Sequence, residues 1–204
     1  DEPESSGATP LHFACAAGDE AVFEWLLAAG ASATRANDDA NTPLHYACQS
    51  GSMRMVEALL AAGADRGARN SDGDTPFLLA CLGGHLEVAR HLHGLGEPAA
   101  QANKLGCSAL LQACAGGHLE LARWLLPLAP SELERADSTG WTPLRLCATS
   151  DHLELAEWLL TQGATPCEAD VKAAKKIGAS ELAKALKKAL KAHGAAGSSS
   201  ASAP

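Results

Sequence analysis

Apolar and polar residues follow a helical period along much of the chain. Val22, Trp25 and Leu26 are spaced i, i+3 and i+4, which places them on one face of an α-helix. The same spacing recurs further on, in Met55, Ala58 and Leu59 and in Leu121, Trp124 and Leu125. The pattern predicts amphipathic helices that pack one apolar stripe against a neighbouring unit. We expect Trp25, Trp124 and Trp158, which share one helical position, to be shielded in the core.

A shorter apolar segment precedes each of these helices. The segments read "TPLHFACAAG", "TPLHYACQSG", "TPFLLACLGG", "SALLQACAGG" and "TPLRLCATSD". Their first residues are Thr9, Thr42, Thr75, Ser108 and Thr142, at intervals of 33, 33, 33 and 34 residues. A self-similar period of this length indicates a stacked array of repeats.

Each repeat carries signals for the start and end of two helices. The Thr or Ser can cap a first helix, and a following Pro suits a position that needs no N–H. Glycines end the first helix in four units, with Asp151 at the matching position of the fifth; they are Gly18, Gly51, Gly84 and Gly117. Further glycines end the second helix; they are Gly30, Gly63, Gly96 and Gly163.

The segments "GATPLHFACAAG", "NTPLHYACQSG", "GGHLEVARHL", "GGHLELARWLL" and "GWTPL" resemble the ankyrin repeat. The resemblance implies an all-α solenoid of about five helix-turn-helix repeats with finger loops, closed by a C-terminal half-repeat cap. It also implies that His12 and His45 bridge finger and helix by hydrogen bonds. The expected divisions are a tail at 1–6, a repeat domain at 7–192 and a flexible linker or tail at 193–204. Within the domain we expect repeats at about 7–36, 37–69, 70–102, 103–136 and 137–169, and the cap at 170–192.

Three departures from the repeat pattern predict local irregularity. Ala40 stands at a finger position where the repeat usually has Gly, which predicts strain. His93 and Gln112 replace apolar residues, so we expect the third and fourth units to be the least stable. The segment "PLAPSELERAD" lacks the glycine that ends the second helix and carries one extra residue.

Composition and charge narrow the range of functions. The chain is 47% hydrophobic and 20% charged with a net charge of −8, which is ordinary for a folded domain. Residues 1–170 hold 9 Lys and Arg against 23 Asp and Glu, a net charge of −14, and residues 171–204 have a net charge of +6. An acidic body argues against a nucleic-acid partner, and no apolar run approaches the roughly 18 residues of a membrane span. We expect one domain of a longer, cytoplasmic or nuclear protein.

The cysteines and histidines do not form a recognisable reactive site. Four of the seven cysteines recur at 33-residue intervals, which predicts buried core thiols in a reducing compartment; they are Cys15, Cys48, Cys81 and Cys114. Two further cysteines fall in fingers, with no basic residue placed nearby by the sequence. His91 and His93 point to different faces of a helix, so they cannot chelate one metal ion together. No nucleotide-binding, metalloprotease or nucleophile motif occurs. We therefore expect no enzyme activity, cofactor or metal.

In such an array the fold does not depend on the side chains at the finger tips and at the ends of the first helices. They line one concave face and are the predicted partner-binding residues: Asp38, Asp39, Asn41, Gln49, Ser71, Asp72, Asp74, Leu82, Lys104, Leu105, Cys107, Ser138, Thr139 and Trp141. The acidic first half and apolar second half predict a protein partner with basic residues beside an apolar anchor. Trp141 is the expected hot spot.

Three functions remain open from the sequence. The first is a non-catalytic protein-interaction module or scaffold, expected to be a monomeric domain. The second is a regulatory or targeting domain of a larger enzyme. The third uses the C-terminal helix, whose Lys184, Lys187, Lys188 and Lys191 lie opposite Leu182, Leu186 and Leu190, to bind acidic lipid or nucleic acid. The alternative for these lysines is the polar outer face that an end repeat needs.

Overall fold

The computed structural model describes residues 6–199, and side chains of residues 6–193. Twelve α-helices and one 3₁₀ helix (η1) account for this part of the chain. In chain order the helices are α1 (Pro10–Ala17), α2 (Glu20–Ala28), α3 (Pro43–Ser50), α4 (Met53–Ala61), α5 (Pro76–Gly83), α6 (Leu86–Gly94), α7 (Ala109–Gly116), α8 (Leu119–Leu128), η1 (Pro130–Leu133), α9 (Pro143–Ser150), α10 (Leu153–Thr161), α11 (Glu168–Lys176) and α12 (Ser180–Ser199).

The helices pair into successive units, and the units stack into a solenoid. We number the pairs α1/α2 to α9/α10 as units 1 to 5, and call α11/α12 the cap. The first helices pack on one another along an inner layer from α1 to α11, and each second helix packs on its own first helix. The all-α class predicted from the sequence is confirmed; within residues 6–199 the β-structure is an isolated antiparallel bridge between Ala102 and Ser108.

The first helices begin at the predicted Thr and Ser residues. The Thr75, Ser108 and Thr142 side chains accept hydrogen bonds from backbone N–H groups three residues on. In units 1 and 2 a histidine takes part instead: the backbone N–H groups of Thr9 and Thr42 donate to the Nδ1 atoms of His12 and His45 at 3.0 and 3.1 Å. These polar pairs satisfy N–H groups that a helix start leaves without partners.

Within residues 6–199, two residues other than glycine adopt a positive φ. Asp151 ends α9 at φ 57°, where the other four units have glycine. Ala40 has φ 58° at a finger tip, so its predicted strain has a conformational basis, since a side chain in this region costs roughly 1–2 kcal/mol.

The two polar replacements in units 3 and 4 have polar partners. Gln112 is buried, and its Nε2 donates to Asp74 Oδ1 at 3.4 Å. The His93 Nδ1 lies 2.7 Å from the carbonyl oxygen of Glu97, and its ring meets Trp124 edge to face. The lower stability expected for these units stays a prediction.

The irregular connection between units 4 and 5 lies where the sequence predicts it. Pro127 stands inside α8, Ala129 leaves the helix with φ −143°, and a 3₁₀ turn follows. Glu132 is buried in this turn, where one carboxylate oxygen accepts from Arg135 Nη1 at 2.9 Å.

The cap closes the C-terminal end of the array with a polar outer face. Leu182 and Leu186 are fully buried against the stack, and the lysines of α12 are exposed. The Arg145 Nε donates to the buried Asp170 carboxylate at 2.5 Å and joins α9 to α11.

Two predicted boundaries of the cap differ from the structure. A start at residue 170 would cut α11, which begins at Glu168. A flexible segment was expected from residue 193, whereas α12 continues to Ser199. Residues 200–204, the rest of that predicted tail, and residues 1–5 of the predicted N-terminal tail lie outside the described residues.

The prediction that all three equivalent tryptophans are shielded is wrong for Trp25. Trp124 and Trp158 are half-buried and pack against the core, whereas Trp25 is 69% exposed. The reason is position in the array. This side chain faces the side on which a preceding unit would lie, and unit 1 is the first unit that the structure describes.

Candidate functional site

Each finger is a tight turn held by one asparagine or aspartate. The Asn37 Oδ1 accepts hydrogen bonds from the backbone N–H groups of Asp39 and Asn41 at 3.1 and 2.8 Å. The same arrangement recurs in the next three fingers, around Asn70, Asn103 and Asp137. The side chain therefore fixes the turn from within, as Asn and Asp commonly do.

Neighbouring fingers are also joined through their backbones. Ser71 N donates to Asp39 O at 2.8 Å, Lys104 N to Asp72 O at 3.0 Å, and Ser138 N to Leu105 O at 2.8 Å. The four fingers thus form one continuous edge that does not rely on the side chains at the tips. Sequence reasoning missed this ladder, although the 33-residue recurrence of Asn37, Asn70 and Asn103 was a visible signal.

Most of the predicted site residues lie at the surface along this edge. The exposed ones are Asp38, Asp39, Gln49, Ser71, Asp72, Lys104, Leu105, Ser138 and Thr139. Leu105 has 54% of its surface exposed. Leu82 and Trp141 are half-buried.

Asp74 is not the exposed finger residue that the sequence predicts. It is buried, and its Oδ1 accepts hydrogen bonds from Asn103 Nδ2 at 2.9 Å and from Gln112 Nε2. Burial raises the pKa of the Asp74 carboxyl above its usual value, and the two amide donors oppose that shift. Asp74 thus connects units 3 and 4 and is not available to a partner.

Asn41 and Cys107 occupy the same position of their own fingers and are also engaged. The Asn41 Oδ1 accepts from Asn70 Nδ2 at 2.9 Å, and the Cys107 Sγ lies 3.9 Å from Asp137 Oδ2. Burial, followed by the nearby Asp137 charge, raises the pKa of the Cys107 thiol. In the first three fingers, the position before the helix-capping Thr or Ser therefore serves contacts between fingers.

The charges along the edge are segregated. Fingers 1 and 2 expose Asp38, Asp39 and Asp72, three carboxylates instead of the predicted four. The third finger exposes Leu105, and Lys104 beside it donates from Nζ to the Ser71 carbonyl oxygen at 2.7 Å. An acidic stretch thus leads into an apolar one along a single edge.

The core cysteines are inert in this fold. Cys15, Cys48, Cys81, Cys114 and Cys147 are fully buried and unpaired. Burial raises the pKa of the Cys15 thiol to about 12 and that of Cys48 well above its usual value, so neither forms a thiolate near neutral pH.

One finger cysteine has a basic neighbour that the sequence did not reveal. The Arg145 Nη2 lies 3.1 Å from the Sγ of Cys167, which is exposed. The two residues are 22 positions apart, and the cap brings them together.

The two TPLH histidines bridge helix and finger as the resemblance implies. The Nε2 atoms of His12 and His45 lie 3.1 and 3.2 Å from the carbonyl oxygens of Asn41 and Asp74 in the following finger. Burial lowers the pKa of both histidines, which keeps the rings neutral near pH 7.

Neither a metal-binding cluster nor a membrane-spanning helix occurs among the described residues. No group of three or more His, Cys, Asp or Glu side chains there could hold a metal ion. No helix in residues 6–199 is long and apolar enough to cross a bilayer.

Comparison with known proteins identifies the repeat. A family model described as ankyrin repeats, three copies, matches residues 1–70, 51–131 and 77–170. No curated protein matches the chain. The matches together cover residues 1–170 of 204, and repeats of this kind are generally protein–protein interaction modules. The chain belongs to the ankyrin repeat family.

Proposed function

We propose that the chain is a non-catalytic module that binds a partner protein on the concave face formed by its finger tips and the ends of its first helices. The observation that supports this proposal is the edge formed by the four hydrogen-bonded fingers. Its backbone is held by internal hydrogen bonds, while its tip side chains remain exposed. A preorganised surface of this kind binds at a low entropic cost.

The chemistry of the edge supports a particular kind of partner segment. Asp38, Asp39 and Asp72 favour basic residues, and Leu105 with the half-buried Trp141 favours an apolar anchor beside them. A desolvated Leu and Trp supply most of the affinity in this arrangement, and the carboxylates supply orientation and association rate.

Two further features support a non-catalytic, intracellular role. The core thiols are poor nucleophiles: burial raises the pKa of those in units 1 to 3, and the hydrogen bond with Cys147, followed by burial, raises the pKa of Cys114 in unit 4. All seven cysteines are free, which fits a reducing compartment such as the cytoplasm or nucleus.

The test is affinity capture from native extract with three immobilised chains. The first is unchanged, the second carries Asp72→Ala and Leu105→Ala on the fingers, and the third is a matched control with Glu57→Ala and Leu128→Ala. The control likewise removes one carboxylate and one leucine, from exposed positions outside the finger edge. A partner captured by the first and third chains and lost by the second supports the finger edge as the site.

A separate Trp141→Ala chain measures the apolar anchor, after circular dichroism shows that it is folded. We expect this substitution to cost about 2 kcal/mol of binding free energy or more for the captured partner. Equal capture by the finger variant and the unchanged chain contradicts the proposal.

A further inference from the structure

The N-terminal end of the array presents an apolar face to solvent. Phe13, Val22 and Trp25 have 48%, 44% and 69% of their surfaces exposed. They border two open grooves of about 450 and 420 Å³ that meet at Pro10. Contiguous apolar surface of this kind commonly marks an interaction site.

In the middle of the array the position equivalent to Trp25 is covered by the preceding unit. The residues that cover it show which side chains can pack there. Trp124 of unit 4 is the equivalent of Trp25, and it packs on the second helix of unit 3. The His93 ring meets it edge to face with the centroids 5.6 Å apart, and the Arg90 guanidinium lies 5.9 Å from its centroid. Inside the array, a cation and a polar ring on the second helix of the preceding unit therefore cover that tryptophan.

The cap carries cations at the corresponding positions of its second helix. Unit 3 and the cap align at a constant interval, which pairs Gly84 with Gly178, Val88 with Leu182, Ala89 with Ala183 and Leu92 with Leu186. In this register Lys184 stands where unit 3 has Arg90, and Lys187 where it has His93. Both lysines are exposed, and the pair that Lys184 forms with Glu181 is a surface contact of little strength.

The two ends are also complementary in charge. Residues 1–170 have a net charge of −14 and residues 171–204 a net charge of +6. Asp19 lines one groove of the apolar face in unit 1, and Lys172, Lys175 and Lys176 add to the basic surface of the cap. Lysine stems can cover apolar surface while their ammonium groups stay in contact with water and carboxylates.

We infer that the apolar N-terminal face of one copy binds the lysine face of the cap of a second copy, with Lys184 over the Trp25 ring as Arg90 lies over Trp124. The contact joins two different faces, so each copy keeps one face free and association is open-ended. The polar cap keeps it weak and sensitive to salt. This inference goes beyond the proposed partner binding and departs from the monomer expected from the sequence.

Sedimentation equilibrium of the full chain over a wide concentration range tests the inference. At an ionic strength of about 0.01 M, where the screening length is about 30 Å, the weight-average mass should rise with concentration above the 20.9 kDa of one chain. At about 1 M salt it should return to that of one chain. A chain that stays monomeric at every concentration in low salt overturns the inference.

Two single variants and their mixture distinguish this geometry from others. Trp25→Ala removes one face and Lys184→Glu the other, so each variant alone should remain monomeric. Mixed, they should form a pair of twice the chain mass and nothing larger, because each contributes one intact face. Arg123→Glu is a matched charge change at an exposed position of α8, in the middle of the array and outside the finger edge, and should associate like the unchanged chain.

The opposite pattern overturns the inference as well. If Lys184→Glu still associates alone while Trp25→Ala does not, two N-terminal faces meet each other and the cap has no role. If Arg123→Glu weakens association as much as Lys184→Glu, the effect follows net charge and not the cap. Both mutated residues of the contact are exposed, and circular dichroism should be used to check that each variant is folded.

Discussion

The two ends of the array bury their apolar residues to very different extents. At the C-terminal end Leu182 and Leu186 are fully buried and lysines face outward, whereas at the N-terminal end Phe13, Val22 and Trp25 are exposed. This difference in burial arises from the position of each unit in the array. A position in a stacked array is buried by its neighbour, so the same residue type is core in one unit and surface in another.

The largest expected effect compares one residue from each end. Leu186→Ala should lower the free energy of unfolding by about 2 to 5 kcal/mol, because it removes a fully buried side chain. Trp25→Ala should change it by less than about 0.5 kcal/mol, because most of that side chain is already in water. Urea denaturation followed by circular dichroism measures both, and equal losses would show that the ends do not differ.

The ion pair that attaches the cap gives the next effect. Asp170→Ala should lower the free energy of unfolding by about 2 to 3 kcal/mol, since it leaves Arg145 without its partner and removes the acceptor for Cys167 N. Hydrogen exchange should increase in α11 and α12 first. Glu181→Ala, which breaks the exposed pair with Lys184, is the control and should cost about 0 to 1 kcal/mol. Unchanged protection of the cap in Asp170→Ala would contradict this role.

Between the two ends, Asp74 tests how fingers in the middle of the array are joined. Asp74→Ala should cost about 1 to 3 kcal/mol, because the amides of Asn103 and Gln112 lose their acceptor. Asp74→Asn should match or exceed the original stability at pH 7. It keeps an acceptor, as Asn41 does one unit earlier, and it removes a charge whose pKa is raised by burial. Thermal unfolding of both variants is the measurement, and an Asn variant as unstable as the Ala variant would refute the assignment.

The smallest expected effect is a loss of stability in acid that affects the N-terminal units more than the C-terminal ones. Burial lowers the pKa of His12 and His45, so below about pH 6.5 the unfolded chain takes up protons that the folded chain does not. Stability contributed by these rings is present above that pH and is lost as the pH falls through their lowered pKa values. Protonation of each ring should lower the free energy of unfolding by about 1 kcal/mol, the value of the one hydrogen bond that the ring accepts.

Hydrogen exchange at pH 7 and in mild acid measures this effect. Units 1 and 2 should lose protection before unit 5, where Arg145 stands in place of the histidine. The Asp74→Asn chain is the appropriate background, because the raised pKa of Asp74 acts in the opposite direction. Uniform loss of protection along the array would contradict this prediction.

Sequence patterns predicted the parts of the molecule that depend on local structure. The repeat period, the residues that start and end the first helices and the buried cysteine column need only one unit to be recognised. Trp25 and Asp74 were assigned wrongly because their environments depend on other units. The Asp74 partners are 29 and 38 residues away, and no described unit precedes that of Trp25, whereas its equivalents follow one. The binding role of the finger residues stays a prediction.

The most direct test of the difference between the ends is acrylamide quenching of single-tryptophan chains. One chain keeps Trp25 and the other keeps Trp124, with the remaining tryptophans replaced by Phe, both dilute and in high salt so that each is monomeric. Trp25 should be quenched several-fold faster than Trp124, because the second is covered by Arg90 and His93 of the preceding unit. Equal quenching of the two would contradict an open N-terminal face.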